Sequence, residues 1–497
     1  MNESVQRMYV EEPAKRVPVL YDVDVVVAGS GIAGSMAAIA AGRHGARTVV
    51  VDRFGQLGGN MGPGLWGGGT LHLSLTKGEK DDLADLVCRN GMGGIPDEFH
   101  RRAVFARPNA DAITDDQRRE LEEAHMNVPD LRLGTGGGLS GYIVDSFVAS
   151  HVLLEMMDEA GVETLTSAYA ADPIMEGRTV KGLYVETKSG RVAVKAKVVI
   201  DATGQADVAC RAGAAVINIT RPNLGLYFAL NRVDAEKYFR FRDANAEADP
   251  ADLEWAKRTF TSEKNEADPY ACPPHMLKAA RKAYEAGEFE FARKVGTCVI
   301  SLVLKDDHFR DGLAAGRTGT VGEIDFADAK GVALMEREHR EHVYRFATFA
   351  RNYIPGFEDS YLLLTSPFLG ARGGRYLQGI RPITGDDVRA GRRFDDAIYP
   401  FSNGSAKDSC DVPYRSLVPK ETDGLLAAGR SAFVYGPNFR SRYSAMLNGQ
   451  AAGVAAAICA KDNVQPRNLD IKKLQKALLA LRCPLGTPER LKELGLA

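Results

Sequence analysis

Residues 24–34 read DVVVAGSGIAG. The apolar, β-branched run Val23–Ala28 leads straight into three glycines, Gly29, Gly31 and Gly34. Each glycine of a G-x-G-x-x-G loop has its own physical reason. The first makes a tight turn, the second lets backbone approach a pyrophosphate, and the third lets the next helix pack on the strand. That helix offers free N–H groups and a partial positive charge to an anion. In a chain with 51 glycines the spacing alone decides nothing, so the flanks must. Alanine-rich Ser35–His44 predicts a helix packed closely on a sheet, and Thr48–Val51 predicts a second buried parallel strand. The strand ends at Asp52, 18 residues past Gly34, where a carboxylate can accept from ribose hydroxyls. The stretch is therefore read as a βαβ dinucleotide-binding unit, and the acid disfavours a 2′-phosphate.

At 497 residues the chain exceeds what one hydrophobic core supports, so more than one domain is expected. Apolar content of 45% and charged content of 26% place it among ordinary globular proteins. A formal charge of −2 gives no basic field for nucleic acid or anionic lipid, and no apolar run is long enough to span a bilayer. The polar start MNESVQRMYVEEPAKR lacks the apolar centre of a signal peptide, so a cytoplasmic location is expected. The seven cysteines are scattered without a CxxC, and His339 and His342 lack an HExxH context, so no metal site is expected.

The predicted order is a lead-in (1–20), a first part of the nucleotide-binding domain (21–220), an inserted α+β substrate domain (221–400), a second part of the nucleotide-binding domain (401–464) and a polar helical tail (465–497). Helices are predicted at Ile143–Glu159, Asp252–Lys264, Met276–Phe291, Ala327–Asn352 and Met446–Ala460. Strands are predicted near Val162–Leu165, Gly182–Lys188, Thr297–Lys305, Leu362–Thr365 and Leu425–Ala428, with another ending at Asp201. The glycine-rich stretches 55–69 and 134–141 read as neither helix nor strand, and 134–141 stands equally well as a flexible connection or a ligand contact.

Three later features favour a long cofactor gripped from distant segments over a nicotinamide alone. Gly58 and Gly59 stand just beyond the acid, where close backbone approach needs glycine. VVIDATG (198–204) ends a strand on the small residues Ala202, Thr203 and Gly204. LLAAGR (425–430) and LNGQAAGVAAA (447–457) form a second strand, glycine and helix N-terminus.

Together with VDRFGQLGGN, VVIDATGQADVACRAGA, GARGGRYLQG and the run beginning at Arg440, these residues resemble the glutathione-reductase-like FAD flavoproteins. More narrowly the chain resembles the FAD-dependent oxidoreductase family, related to the fumarate reductase/succinate dehydrogenase flavoprotein group, from Val23 to Ala460. The resemblance implies an α/β fold: a Rossmann domain with a parallel sheet flanked by helices and a small antiparallel sheet. It also implies noncovalent or tightly bound FAD and redox chemistry at flavin N5. By position, Gly29, Gly31, Ile32, Ala33, Gly34, Asp52 and Arg53 face the ADP part. Gly58 and Gly59 pass near the pyrophosphate and ring, and Ala170, Ala202, Thr203 and Gly204 lie over the nucleotide half. Gly429, Arg430, Arg440, Leu447, Gly449 and Gln450 lie toward the ribityl and ring end.

The chain departs from the family where it reads Gly370-Ala-Arg372-Gly-Gly-Arg375, and again in SAFVYGPNFR (431–440), which lacks the usual histidine. No histidine stands where the fumarate-reductase-like enzymes attach FAD, the nearest being His72. Arg372, Arg375 and Arg440 are expected to hold an anionic or carbonyl-bearing substrate through their bidentate forks, with a salt bridge or phosphate contact as the bland alternative. Tyr443 and Tyr435 are candidates for proton transfer, with packing around the ring as the alternative. The leading expectation is hydride transfer between flavin and a small organic substrate, by C–H or C–OH oxidation or by reduction of an activated C=C. A non-redox hydratase or isomerase using FAD structurally or as an acid–base, and a flavin-based sensor, remain rivals. The chain lacks a second complete G-x-G-x-x-G unit with its acid, so oxygen, a quinone or a redox protein is expected as electron acceptor. Homo-oligomerisation is left open.

Overall fold

In a computed structural model of the chain, the described residues are 10–62, 64, 69–72, 93–105, 141–144, 146–219, 225–260, 272–310, 312–322, 324–371, 373–402, 409–432 and 442–497. The stretch 134–140, with Arg372, Tyr435 and Arg440, lies outside them.

The first core is built on parallel strands β1 (Val19–Ala28) and β2 (Thr48–Val51), joined by helix α1 (Ile32–Arg43). Val25, Val26, Val27 and Ala28 are fully buried, as a strand covered on both faces requires. The helix begins earlier than its alanine run suggested, directly after Gly31, so that Gly34 lies in its first turn. Strand β3 (Gly69–His72) pairs with β4 (Gly141–Val144), and helices α2 (Gly94–Phe105) and α3 (Ser146–Glu159) follow them in the chain. Ile143 and Val144, expected in a helix, are strand residues. Strands β5 (Val162–Leu165), β6 (Tyr169–Glu176), β7 (Thr179–Thr187) and β8 (Gly190–Asp201) then complete most of the sheet. Its order is β5-β2-β1-β8-β7-β6.

Strand β8 has two roles along its length. Gly190–Lys195 pairs antiparallel with β7, and Val199–Asp201 pairs parallel with Leu425–Ala427 on the same edge. The expected small antiparallel sheet is thus continuous with the parallel one. Beyond β8 come the short helix α4 (Asp207–Arg211) and strand β9 (Val216–Ile219).

A second core spans Leu226 to Leu369. Its antiparallel sheet uses β10 (Tyr227–Asn231), helices α5 (Ala235–Ala244), α6 (Pro250–Phe260) and α7 (Leu277–Glu285), and strands β11 (Arg293–Val295), β12 (Cys298–Arg310) and β13 (Leu313–Val321). Helix α8 (Ala329–Tyr353) and β14 (Tyr361–Thr365) complete it. The order is β11-β12-β13-β10-β14. One face carries Phe228, Ile300 and Leu302 against α8, where Phe228 meets Phe346 edge-on with ring centroids 5.7 Å apart. Buried His339 of α8 bonds Thr318 through Nδ1 (2.5 Å) and Thr320 through Nε2 (2.8 Å). Burial lowers His339 to about 4 and His342, stacked on Phe289, to about 3.

The chain returns through β15 (Gly374–Leu377), paired with β9, and then α9 (Gly385–Arg389), β16 (Ala397–Ser402), β17 (Ser409–Pro413) and β18 (Leu425–Ala427). Helices α10 (Arg442–Asp462), α11 (Ile471–Ala480) and α12 (Pro488–Glu493) close it. Side chains of Leu377, Ile383, Tyr399 and Leu417 belong to the first core. Among the described residues no helix is long and apolar enough to cross a membrane, and no cluster of three or more metal-ligating residues forms.

Candidate functional site

The ends of β1, β8 and β18 and the start of α1 converge on the glycine loop, with Asn448 and Gly449 of α10 beside them. Gly29 takes a φ of +99°, and a methyl there would lie 2.7 Å from the carbonyl oxygen of Ala202. A methyl on Gly34 would overlap the carbonyl oxygen of Gly29. Gly31 differs from both, because a methyl on it would meet nothing within 4 Å. Gly31 is also the cap of α1 and carries no side chain to bond the first N–H groups. An open cradle therefore faces an uncapped helix start, which is complementary to a diphosphate.

Two segments close around it. Gly58 N–H donates to the Ser30 carbonyl at 2.9 Å, and a methyl on Gly59 would lie 2.9 Å from the Cα of Gly31. Both glycines have positive φ, +97° and +54°. Asp52 Oδ2 accepts from the backbone N–H (2.6 Å) and hydroxyl (2.7 Å) of Ser30, and Oδ1 accepts from Phe54 N–H (2.8 Å). A carboxylate has about four lone-pair sites, so Oδ1 keeps room for a ribose hydroxyl. Arg53 lies over the Phe54 ring (4.7 Å) and the Phe368 ring (5.5 Å), and the two rings stack at 5.0 Å. That sandwich ties the loop after β2 to the second core. Ile32 and Ala33 are buried, and Ala170 is half-buried with its carbonyl accepting from Arg211.

At the end of β8, fully buried Asp201 accepts from Thr203 N–H (3.1 Å), Thr203 hydroxyl (2.7 Å) and Ala209 N–H (2.8 Å). Burial pushes its carboxyl up despite those bonds. The carboxylate thereby fixes the Ala202–Gly204 turn and the start of α4. Arg430 donates to the Gly373 carbonyl at 2.6 Å and to the Gly204 carbonyl, and lies 5.2 Å from the Tyr376 ring centroid. Its guanidinium thus ties the β8 turn to the approach of β15. Gly429, at φ +83°, donates its N–H to Oδ1 of buried Asn448 at 2.6 Å. Sequence reading missed Asn448 and Ser30. The only signal for Asn448 was a polar residue in an otherwise apolar helix start.

Other expected site residues have different neighbours. Arg375 forms an ion pair with Asp207, and its Nε donates to the Gln205 carbonyl at 3.1 Å. Its guanidinium is engaged there, the ion pair that the sequence reading gave as the alternative. Gln450 accepts from Ile95 N–H at 2.7 Å and donates to Cys483 Sγ at 2.6 Å, on the side of α2 and the tail. A methyl on Gly449 would overlap the Ala33 carbonyl oxygen, and one on Gly453 that of Ala37, so these two glycines serve helix packing. Leu447 is buried in the first core, and Tyr443 lies in the first turn of α10.

These contacts also orient the helices. Gly449 opposes Ala33 and Gly453 opposes Ala37, so α10 runs parallel to α1. Arg442 starts α10 seven residues before Gly449, about 10 Å further along at 1.5 Å per residue. Two positive helix ends thus point the same way with an offset along the axis.

The sequence matches the FAD dependent oxidoreductase family over residues 24–478. The chain belongs to that family. It is an oxidoreductase whose cofactor is FAD. The digeranylgeranylglycerophospholipid reductase of Methanoculleus marisnigri is 26% identical over 191 residues, 38% of this chain and 41% of that protein. The same-named protein of Methanosphaerula palustris is 26% identical over 188 residues, 37% of this chain and 39% of the relative. The match therefore spans only about two fifths of the curated relatives' length. A geranylgeranyl bacteriochlorophyll reductase-like structure from Thermoplasma acidophilum aligns over 95% of this chain and 84% of its own, at 15% identity and a TM-score of 0.40. The p-nitrophenol 4-monooxygenase of Pseudomonas putida aligns over 96% and 93%, at 12% identity and 0.42. For this FAD family member, the open cradle at Gly31, the uncapped α1 and the free capacity of Asp52 fit the ADP half of the cofactor.

Proposed function

We propose that this protein transfers a hydride between a small organic substrate and N5 of FAD, either oxidising a C–H or C–OH group or reducing an activated C=C. When bound, the flavin supplies the hydride acceptor or donor. The single observation that carries the reading is the parallel, offset placement of α1 and α10. The start of α1 and the Gly29–Gly34 loop hold the diphosphate. Ser30 orients Asp52 toward the adenosine ribose. The Ala202–Gly204 turn, fixed by Asp201 and clamped by Arg430, passes over the nucleotide half. Asn448 holds the Gly429 turn, which would support the ribityl part of the cofactor. The positive end of α10, about 10 Å beyond that of α1, favours negative charge at the cofactor's pyrimidine edge.

The second core closes over the ring as a substrate domain, within the glutathione-reductase-like plan the resemblance implies. The reductase names of the two curated relatives support keeping reduction of the substrate in the reading. Arg372 and Arg440 are the cations proposed to orient a polar substrate, and Tyr443 the proton-transfer group at the head of α10. Electrons leave to oxygen, a quinone or a redox protein. Anaerobic mixing of the purified protein with candidate substrates tests the reading through loss of the long-wavelength flavin absorbance. Turnover without any loss of that band would replace it with a non-redox hydratase or isomerase.

A further inference from the structure

Phe368 follows the last strand of the second sheet, yet its ring lies against the loop that carries the acid of the nucleotide site. Four hydrogen bonds fix where it stands. Arg340 of α8 donates to the Thr365 hydroxyl (2.9 Å), the Ser366 carbonyl (3.0 Å) and the Pro367 carbonyl (3.0 Å). Leu369 N–H donates to Glu336 of the same helix at 3.3 Å, and the Leu369 side chain is buried in the second core. The backbone is therefore held on both sides of Phe368. From the first core, the Gly64 carbonyl accepts from the Ser366 hydroxyl at 3.1 Å, and a methyl on Gly64 would lie 2.5 Å from Phe368 Cζ.

The partner of that ring is set from Asp52. Its Oδ1 accepts from Phe54 N–H at 2.8 Å, so one turn places carboxylate, guanidinium and ring together. Phe54 and Phe368 stack with centroids 5.0 Å apart and planes 22° from parallel, as an attractive offset pair does. The Arg53 guanidinium lies 4.7 Å from the Phe54 centroid and 5.5 Å from that of Phe368, close enough to be drawn to both rings. Both rings are half-buried and Arg53 is exposed. Arg53 makes no hydrogen bond or ion pair with another described residue, so its N–H donors remain open to a ligand. Ordering a long cation costs side-chain entropy, and the two rings restrict this one before any ligand arrives.

We infer that Phe368 is a positioning residue for the cofactor: stacked on Phe54, it holds the Arg53 guanidinium beside Asp52, where its N–H donors meet the adenosine end of FAD. The inference rests on the flavin-site reading above, which puts the adenosine ribose at Asp52. Asp52 accepts and Arg53 donates, so a single turn offers both hydrogen-bond polarities to the same end of the cofactor. The second core thereby helps to grip the nucleotide half, through a ring that itself touches no part of the cofactor.

The test compares FAD release from the FAD-loaded parent and its variants after dilution, read from the rise in free-flavin fluorescence. Arg53→Gln, at an exposed position, should release FAD about threefold faster or more, the scale of a lost cation contact. Phe368→Leu should come close to that rate, and Phe368→Tyr, which keeps a ring, should match the parent. In the Arg53→Gln background Phe368→Leu should add nothing, because the ring acts through the guanidinium. A loss of general stability would multiply the two effects instead. The proposal is overturned if Arg53→Gln or Phe368→Leu releases FAD like the parent, if Phe368→Tyr is as fast as Phe368→Leu, or if the two effects multiply. A Gly31→Ala protein that keeps FAD like the parent would instead overturn the flavin-site reading.

Discussion

The backbone N–H of Gly429 donates to Oδ1 of Asn448 at 2.6 Å, and both residues are buried. Gly429 holds a φ of +83° at the end of β18, so one side-chain amide keeps a left-handed turn locked to α10. Replacing Asn448 with Leu leaves a buried N–H without its acceptor, which costs about 1–3 kcal/mol. The expected result is a lower Tm of the FAD-loaded protein and faster FAD loss on dilution, read by flavin fluorescence.

Gly31 and Gly34 separate cofactor space from packing space. Gly31→Ala places a methyl in the open cradle at a φ of −52°, which alanine adopts freely. That variant should fold with an unchanged far-UV spectrum but purify with much less FAD. Gly34→Ala drives its methyl into the Gly29 carbonyl and should yield little folded protein. Equal FAD content in Gly31→Ala and the parent would remove the cradle from the diphosphate site.

Arg375 should behave as a structural cation. Its ion pair with Asp207 is about four-fifths buried on both sides, with 21% exposure each. Arg375→Gln should lower Tm, and a double-mutant cycle with Asp207→Asn should give a coupling of roughly 1 kcal/mol.

The second core should weaken on acidification. His339 and His342 are lowered to about 4 and about 3 by burial, against about 6.5 in an unfolded chain. Below pH 6.5 the unfolded state takes up protons that the folded state refuses, so stability is complete above that pH. It falls as pH drops toward 4 and then 3, by up to about 1.4 kcal/mol per pH unit for each histidine. Among the described residues, the buried His342 Nε2 has no hydrogen-bond partner, and its ring stacks on Phe289 at 5.3 Å. His342→Phe should therefore reduce the slope of Tm against pH while changing Tm little at pH 7.5.

The sequence made the nucleotide-binding unit legible because its period and punctuation are local. Strands Thr48–Val51 and Val162–Leu165 sit where the runs of apolar and β-branched residues put them. Strand β13 was not foreseen, because LAAGRTGTV is built of small residues whose strand character comes from neighbours on both sides. The fates of Gly449 and Gln450 were hidden for another reason. Neighbours on a helix point about 100° apart, so one faces α1 while the other faces α2 and Cys483. The four-residue spacing of Gly449 and Gly453 was the available sign of close helix packing. Arg375 could not be read in sequence as a structural cation, since only folding brings Asp207 to it.

The central claim is hydride transfer between substrate and an FAD held by the Gly29–Gly34 loop and α10. Anaerobic stopped-flow mixing of the FAD-loaded protein with a panel of small organic substrates, and with the dithionite-reduced protein as the reverse arm, tests it most directly. The account predicts that at least one substrate bleaches the oxidised flavin band or restores it from the reduced state. A protein that turns over substrate with no change in that band, or that purifies without FAD, would contradict it.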